Sequence, residues 1–209
     1  MACFEPGQKV LINEVVPIAC VVLAAGGSKR FEKGHKLLAP FQGKPLILHL
    51  VHKLDRMAVG ERILVLGCQG KAIQELVQSE VQSCWRFVQN PEWQEGGLSG
   101  SLKLGVQGLV EASVRGAAIF LADKPEVRVS TLNKLFHGFL EQPRSPLQPF
   151  FQGVPGHPVC FPESWFMKLK GLRGDMGAGA LLREHEKDIR HFETSDHGVI
   201  KDCDRLGDF

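Results

Sequence analysis

The stretch Ile18–Lys36, IACVVLAAGGSKRFEKGHK, decides the fold. From Ile18 to Leu23 it is an unbroken apolar run rich in β-branched side chains, the pattern of a strand buried on both faces of a parallel sheet. Ala24, Ala25, Gly26 and Gly27 then remove side-chain bulk, so the chain can turn sharply and a ligand can approach the backbone. Ser28 closes this turn, and Lys29, Arg30, Lys33, His35 and Lys36 follow, against one acid, Glu32. A small-residue turn after a buried strand, trailed by cations, suits a polyphosphate held at the strand's carboxyl end. Two familiar phosphate loops are excluded: no Gly-Lys-Ser/Thr occurs here for a Walker A pattern, and adjacent glycines break G-x-G-x-x-G. On composition alone a second reading stays open, in which Gly26-Gly27-Ser28 is a surface turn and the lysines are a solvated face.

Outward from this stretch, apolar runs alternate with amphipathic segments. Arg62–Gly67, Cys84–Val88 and Gly116–Leu121 read as further strands, with helices expected over Pro45–Ala58, Lys71–Val77, Ser101–Ala112 and Thr131–Glu141. His49 and His52, three apart on the first helix, read as helix histidines, since no third metal ligand is near. After residue 142, prolines punctuate short extended pieces at Pro149–Gly153 and His157–Phe161. Helices at Ser164–Leu172 and Ala178–Glu186 follow, then strands near Ile189–Phe192 and Val199–Cys203. The expectation is an α/β protein, a three-layer α/β/α Rossmann-like arrangement with a mostly parallel sheet. One domain over 1–209 is expected, with 1–16 an N-terminal extension and 143–209 a smaller lobe completing it.

The 209 residues suffice to bury a substantial core, and 44% hydrophobic with 23% charged residues is ordinary for a globular protein. A net charge of +2 argues against a nucleic-acid binder, because the positive charge is local to the loop. The longest apolar runs fall short of a membrane span, and the N-terminus has no secretory pattern. Six widely spaced cysteines without a C-x-x-C read as free thiols in a reducing cytoplasm.

Three further segments bear chemistry. Asp123 follows the apolar strand GAAIFLA, at the carboxyl end where open α/β sheets bind ligands, and a carboxylate there can hold Mg²⁺ together with substrate phosphates. As Asp before Pro125 it also suits a turn cap. NPEWQEGGLSGSLKLG, Asn90–Gly105, is a polar, glycine-rich loop running into a helix whose amides can receive an anion, with Ser99 or Ser101 as its cap. The third, Lys201-Asp202-Cys203-Asp204, is an acidic segment near the end.

The order Leu23-Ala24-Ala25-Gly26-Gly27-Ser28-Lys29-Arg30-Phe31, then Lys36-Leu37-Leu38 and Gly43-Lys44-Pro45-Leu46, resembles the signature of the MobA-like nucleotidyltransferases, closest to their molybdenum cofactor cytidylyltransferase branch. The resemblance implies Mg²⁺-dependent transfer of CMP from CTP to the terminal phosphate of molybdopterin, with pyrophosphate released. It implies Arg30, Lys36 and Asp123 as catalytic, and residues Leu23, Ala24, Ala25, Gly26, Gly27, Ser28, Leu98, Ser99 and Ser101 as nucleotide-binding. Asp123 and Asp204 would hold the metal. Gly156, His157, Pro158 and Asp175 resemble segments bordering the acceptor pocket, with His157 orienting or structural and not a base. Lys124 stands where the family has glutamine, a second cation beside the metal, and Gly179 stands where it has arginine. A molybdoenzyme client is a further implied partner. The competing readings are a GTP- or sugar-phosphate-using enzyme on the same fold and a non-catalytic cofactor-binding or insertion protein.

Overall fold

The computed structural model describes residues 15–28, 31, 34–109, 114–174 and 177–204. In chain order the strands are β1 (Ile18–Ala24), β2 (Pro40–Phe41), β3 (Lys44–Pro45), β4 (Arg62–Leu66), β5 (Arg86–Gln89), β6 (Gly116–Leu121), β7 (Leu147–Phe151), β8 (Val154–Pro155), β9 (Val159–Pro162) and β10 (Arg190–Glu193). The helices are α1 (Leu46–Asp55), α2 (Gly70–Glu80), α3 (Gly97–Gln107), α4 (Val129–Glu141), α5 (Phe166–Gly171) and α6 (Ala178–Glu184).

Eight strands form one sheet in the order β10-β7-β9-β6-β1-β4-β5, with β8 paired to β7. β1 lies parallel between β4 and β6, and its register runs from Ile18 opposite Gly116 to Leu23 opposite Leu121. β9 is antiparallel to both β6 and β7, while β10 returns parallel to β7. The sheet is thus mostly parallel and carries an antiparallel patch where the segment after residue 142 joins it.

Side chains alternating along β1 sort the core into two layers. Cys20 and Val22 pack with Leu64, Phe120 and the apolar faces of α1, α2 and α4. Ala19, Val21 and Leu23 pack on the other face with Val65, Ile119 and residues of α3, α5 and α6, including Leu102, Val106, Leu169 and Leu182. Every residue of β1 is buried, so the run has no solvent face to make polar, and each large side chain placed there contributes about 1.5–3 kcal/mol. The expected three-layer α/β/α architecture is the one observed. No described helix is long and apolar enough to cross a membrane.

The strand expected at Val199–Cys203 is absent. Asp196 instead accepts from the Gly198 N–H through Oδ1 and from the Arg128 N–H through Oδ2, which folds His197–Val199 into a 3-10 turn. An aspartate two residues ahead of a glycine closes such a turn locally, and this outcompetes an extended chain. Cys20, Cys68, Cys84, Cys160 and Cys203 are free thiols, and burial pushes Cys20 up to about 12.

Candidate active site

The first parallel strand and its neighbour β6 end side by side, so the loops that follow them face each other. Residues 23–28 turn over the tip of β1 and line a cleft of about 530 Å³ at the carboxyl end of the sheet. The loop is fixed from within. His35 Nε2 donates to the Gly26 carbonyl at 3.0 Å, and the Lys36 N–H donates to Ser28 Oγ at 3.2 Å. Burial holds the His35 imidazole below its ordinary range, so it remains neutral. Ser28 itself sits in the left-handed region at φ 52°.

Lys36 opens the short 3-10 turn Lys36–Leu38, which aims its side chain across the cleft. Its Nζ lies 2.7 Å from Asp123 Oδ2 and 2.7 Å from Asp204 Oδ1. Burial alone would push this ammonium down, but the charge and hydrogen bonds of the two carboxylates outweigh it and leave it above its ordinary value. Lys36 is therefore a cation throughout the neutral range. Asp123 Oδ1 is buried without a hydrogen-bond partner among the described residues.

Asp123 begins the loop after β6, which is held from two sides. From α1, Lys53 Nζ donates to the carbonyls of Pro125 and, at 2.9 Å, Val127. From the chain end, the Cys203 N–H donates to the Asp123 carbonyl at 3.0 Å, and Lys201 pairs with Glu126 at 2.7 Å. Lys124 does not reach the cleft. Its buried Nζ donates to the Ile200 carbonyl at 2.9 Å and pairs with Asp202. The lysine expected to add a cation beside the metal instead straps the segment that carries Asp204 onto the segment that carries Asp123.

Leu98 and Ser101 line the cleft as expected. Ser99 does not: its hydroxyl lies within hydrogen-bonding reach of the Gly174 carbonyl and, more distantly, the Gly96 carbonyl, and is buried away from the lining. Neither serine caps the helix, because α3 starts at Gly97, ahead of both, where a positive φ of 56° bends the chain into it. Ser101 Oγ accepts from Asn90 Nδ2 at 3.0 Å, tying the helix to the end of β5.

Gly156, His157 and Pro158 are not among the cleft-lining residues. The His157 N–H donates to the Val199 carbonyl at 2.8 Å, and burial pushes the imidazole down to about 4. It is a half-buried histidine that is neutral at pH 7, as its structural reading requires. Arg30 and Asp175 lie outside the described residues.

Sequence reasoning singled out neither Trp93 nor Gln94, yet both line the cleft. A Cβ on Gly27 would stand 2.6 Å from the Trp93 ring, and one on Gly67 would stand 2.7 Å from the Trp93 Cβ and 2.5 Å from the Ala25 carbonyl. The tryptophan is wedged against two glycines, one of them in the loop itself. The signal was the Asn90-Pro91-x-Trp93 spacing ahead of α3.

The profile of the MobA-like NTP transferase domain matches residues 20–189, which contain the loop, Lys36 and Asp123. The chain belongs to this family. Among curated relatives it is 29% identical over 195 residues to the purine catabolism protein PucB of Bacillus subtilis, covering 88% of this chain and 90% of that one. It is 25% identical over 200 residues to nicotine blue oxidoreductase of Paenarthrobacter nicotinovorans, covering 89% and 91%. A shorter match, 34% over 90 residues, covers 39% of this chain and 20% of the bifunctional protein GlmU of an Exiguobacterium strain, so the chain spans about a fifth of that relative. Among solved structures, Rv0371c of Mycobacterium tuberculosis superposes with a TM-score of 0.75 at 24% identity, covering 91% of this chain and 95% of that one. The same protein has also been solved with manganese, at a TM-score of 0.71 and 23% identity, covering 92% and 95%. These solved structures share the fold of this chain.

Proposed function

We propose that the protein is a metal-dependent nucleotidyltransferase that moves CMP from CTP to the terminal phosphate of an acceptor, with molybdopterin as the acceptor and pyrophosphate as the leaving group. The observation that carries this reading is the meeting of Lys36, Asp123 and Asp204 within 2.7 Å contacts at the mouth of the loop after β1. The residues at 24–28 offer backbone with little side-chain bulk to a triphosphate, and the cation beside them is permanently charged.

The chain's own groups do most of the work by placement. The loop fixes the phosphates, and Lys36 offsets charge that grows on the departing pyrophosphate as the acceptor oxygen attacks the α-phosphorus in line. Leu98, Ser101 and Trp93 wall the nucleoside side of the cleft and exclude water from it. An acceptor phosphate is already anionic, so no protein base is needed, which agrees with a His157 that lies outside the cleft lining. Fixed charges and orientation supply the acceleration without a covalent intermediate.

The donor set fits a divalent cation. Asp123 and Asp204 converge on one point, and Asp123 keeps a buried oxygen without a partner among the described residues. Mg²⁺ is commonly held by one or two carboxylates plus substrate phosphates. Held by this pair, it would neutralise charge on the phosphates. Manganese in the Rv0371c structure supports a metal on this fold.

Pyrophosphate release tests the reading. With Mg²⁺ and molybdopterin, CTP is expected to yield pyrophosphate faster than GTP, UTP or ATP. Preference for GTP, or for a sugar phosphate as acceptor, would reassign the substrates. Binding of nucleotide with no release under any donor–acceptor pair would leave only the cofactor-holding protein.

A further inference from the structure

Lys36 occupies the point at which Asp123 and Asp204 converge. Its Nζ is 2.7 Å from an oxygen of each, and its side chain is only 11% exposed. A dication held between those same two oxygens would compete with the ammonium for the space and the charge between them. We infer that Lys36 is a place-holding cation that keeps the carboxylate pair closed to free divalent metal until a triphosphate arrives to take the lysine, so that metal and nucleotide enter together. This rests on the reading of the cleft as a triphosphate site.

The charges make the coupling obligatory. The Lys36 ammonium lies between the two partly buried carboxylates and offsets their charge at contact range. A bare dication entering this group meets a cation at contact range, and the lysine it displaces would be left in a poorly hydrated place without a counter-charge. Like charges forced together with little water between them oppose binding strongly. A triphosphate changes both conditions, because its oxygens give Lys36 a new anionic partner and add ligands for the metal. The strap of Lys124 on Asp202 and Lys201 on Glu126 keeps Asp204 at the cleft while the lysine moves, so the pair is preserved for the incoming ion. Two ligands that each remove the obstacle to the other bind with positive coupling, and the coupling is reciprocal.

The experiment is a titration with Mn²⁺ alone, read by the loss of its free-ion electron paramagnetic resonance signal, with no nucleotide present. Wild type is expected to bind Mn²⁺ weakly. Lys36→Met and Lys36→Gln, which remove the charge and leave the carboxylates, are expected to bind it tighter by at least about tenfold, within the ordinary range of site-to-site coupling. Lys36→Met combined with Asp123→Asn is expected to lose that gain, which locates the ion. A tight Mn²⁺ site in nucleotide-free wild type would overturn the inference even if a lysine variant failed to fold. So would cooperatively melting variants of both kinds with wild-type affinity. The readout involves no turnover. A gain of Mn²⁺ binding without pyrophosphate release from any donor would sink the transferase reading alone, and release without the gain would sink only the place-holder.

Discussion

Lys36, buried, and His157, half-buried, are basic side chains near the carboxyl ends of the central strands, yet one keeps its proton and the other gives it up. Burial works against charge at both. At Lys36 two carboxylates stand within 2.7 Å and reverse the outcome. At His157, which is half-buried, desolvation comes first, Lys124 adds a repelling charge, and the imidazole falls to about 4. A buried basic group stays a cation only where anions have been brought to it. That difference separates the cleft, where charge is kept for use, from the interior turn at 156–158, where a polar side chain serves packing.

The comparison breaks most readily at the cleft. Asp123→Ala and Lys36→Ala should each lower turnover by roughly 10²–10³-fold, the scale of losing one fixed charge-stabilising group, while both variants still unfold cooperatively. Near-normal turnover in either would remove the charged cleft from the account.

The interior side is tested by acid. His157 carries a folded-state pKa below its unfolded value of 6.5, so the unfolded chain takes up the proton first. Its contribution is intact above pH 6.5 and is lost as pH falls towards 4, amounting to about 3 kcal/mol at 1.36 kcal/mol per pKa unit. Urea unfolding at pH 7 and pH 4.5 should register this loss in wild type and a flatter response in His157→Gln. Turnover of that variant at pH 7 should stay within about tenfold of wild type, because it contributes no base. A larger fall in turnover would put His157 in the cleft's chemistry.

Gly27→Ala sharpens the contrast from the loop's side. Its Cβ would lie 2.6 Å from the Trp93 ring, an overpacking that costs about 1–3 kcal/mol. Because the ring lies against the loop, KM for nucleotide should rise along with the lost stability. A melting shift with unchanged KM would make Trp93 a packing residue only.

The smallest effect is expected at Ser99. Ser99→Ala removes a hydroxyl that donates to the Gly174 carbonyl, a loss of about 1 kcal/mol in thermal unfolding. Nucleotide KM should move less than about threefold, in contrast to Ser101→Ala, at a residue that lines the cleft. Equal KM effects would erase the distinction between the two serines.

What the sequence made legible follows the same division. β1 and β6 were readable because burial on both faces leaves a strand no choice but an apolar run. Asp123 was readable because a charged group directly after such a run lies at a sheet's carboxyl end, and Lys36 through the resemblance of Lys36-Leu37-Leu38 to the family's signature. Their direct contact was not, since 87 residues separate them and only the parallel register of β1 and β6 brings their loops together. The strand expected at Val199–Cys203 failed because Asp196 satisfies local N–H groups with its side chain, a competition invisible in an apolar pattern. Lys124 failed for a different reason: the carbonyl of Ile200 and the carboxylate of Asp202, distant in sequence, draw it away from the metal side. Trp93 was in view within its motif, but its wedge against Gly27 and Gly67 depends on three loops meeting.

The most direct test of the central claim follows the α-phosphate itself. Protein supplied with CTP labelled at the α-phosphorus, Mg²⁺ and molybdopterin should place the label on the acceptor, and Asp123→Ala should not. Label that stays in CTP with wild type, or moves equally well without the Asp123 carboxylate, would contradict the account.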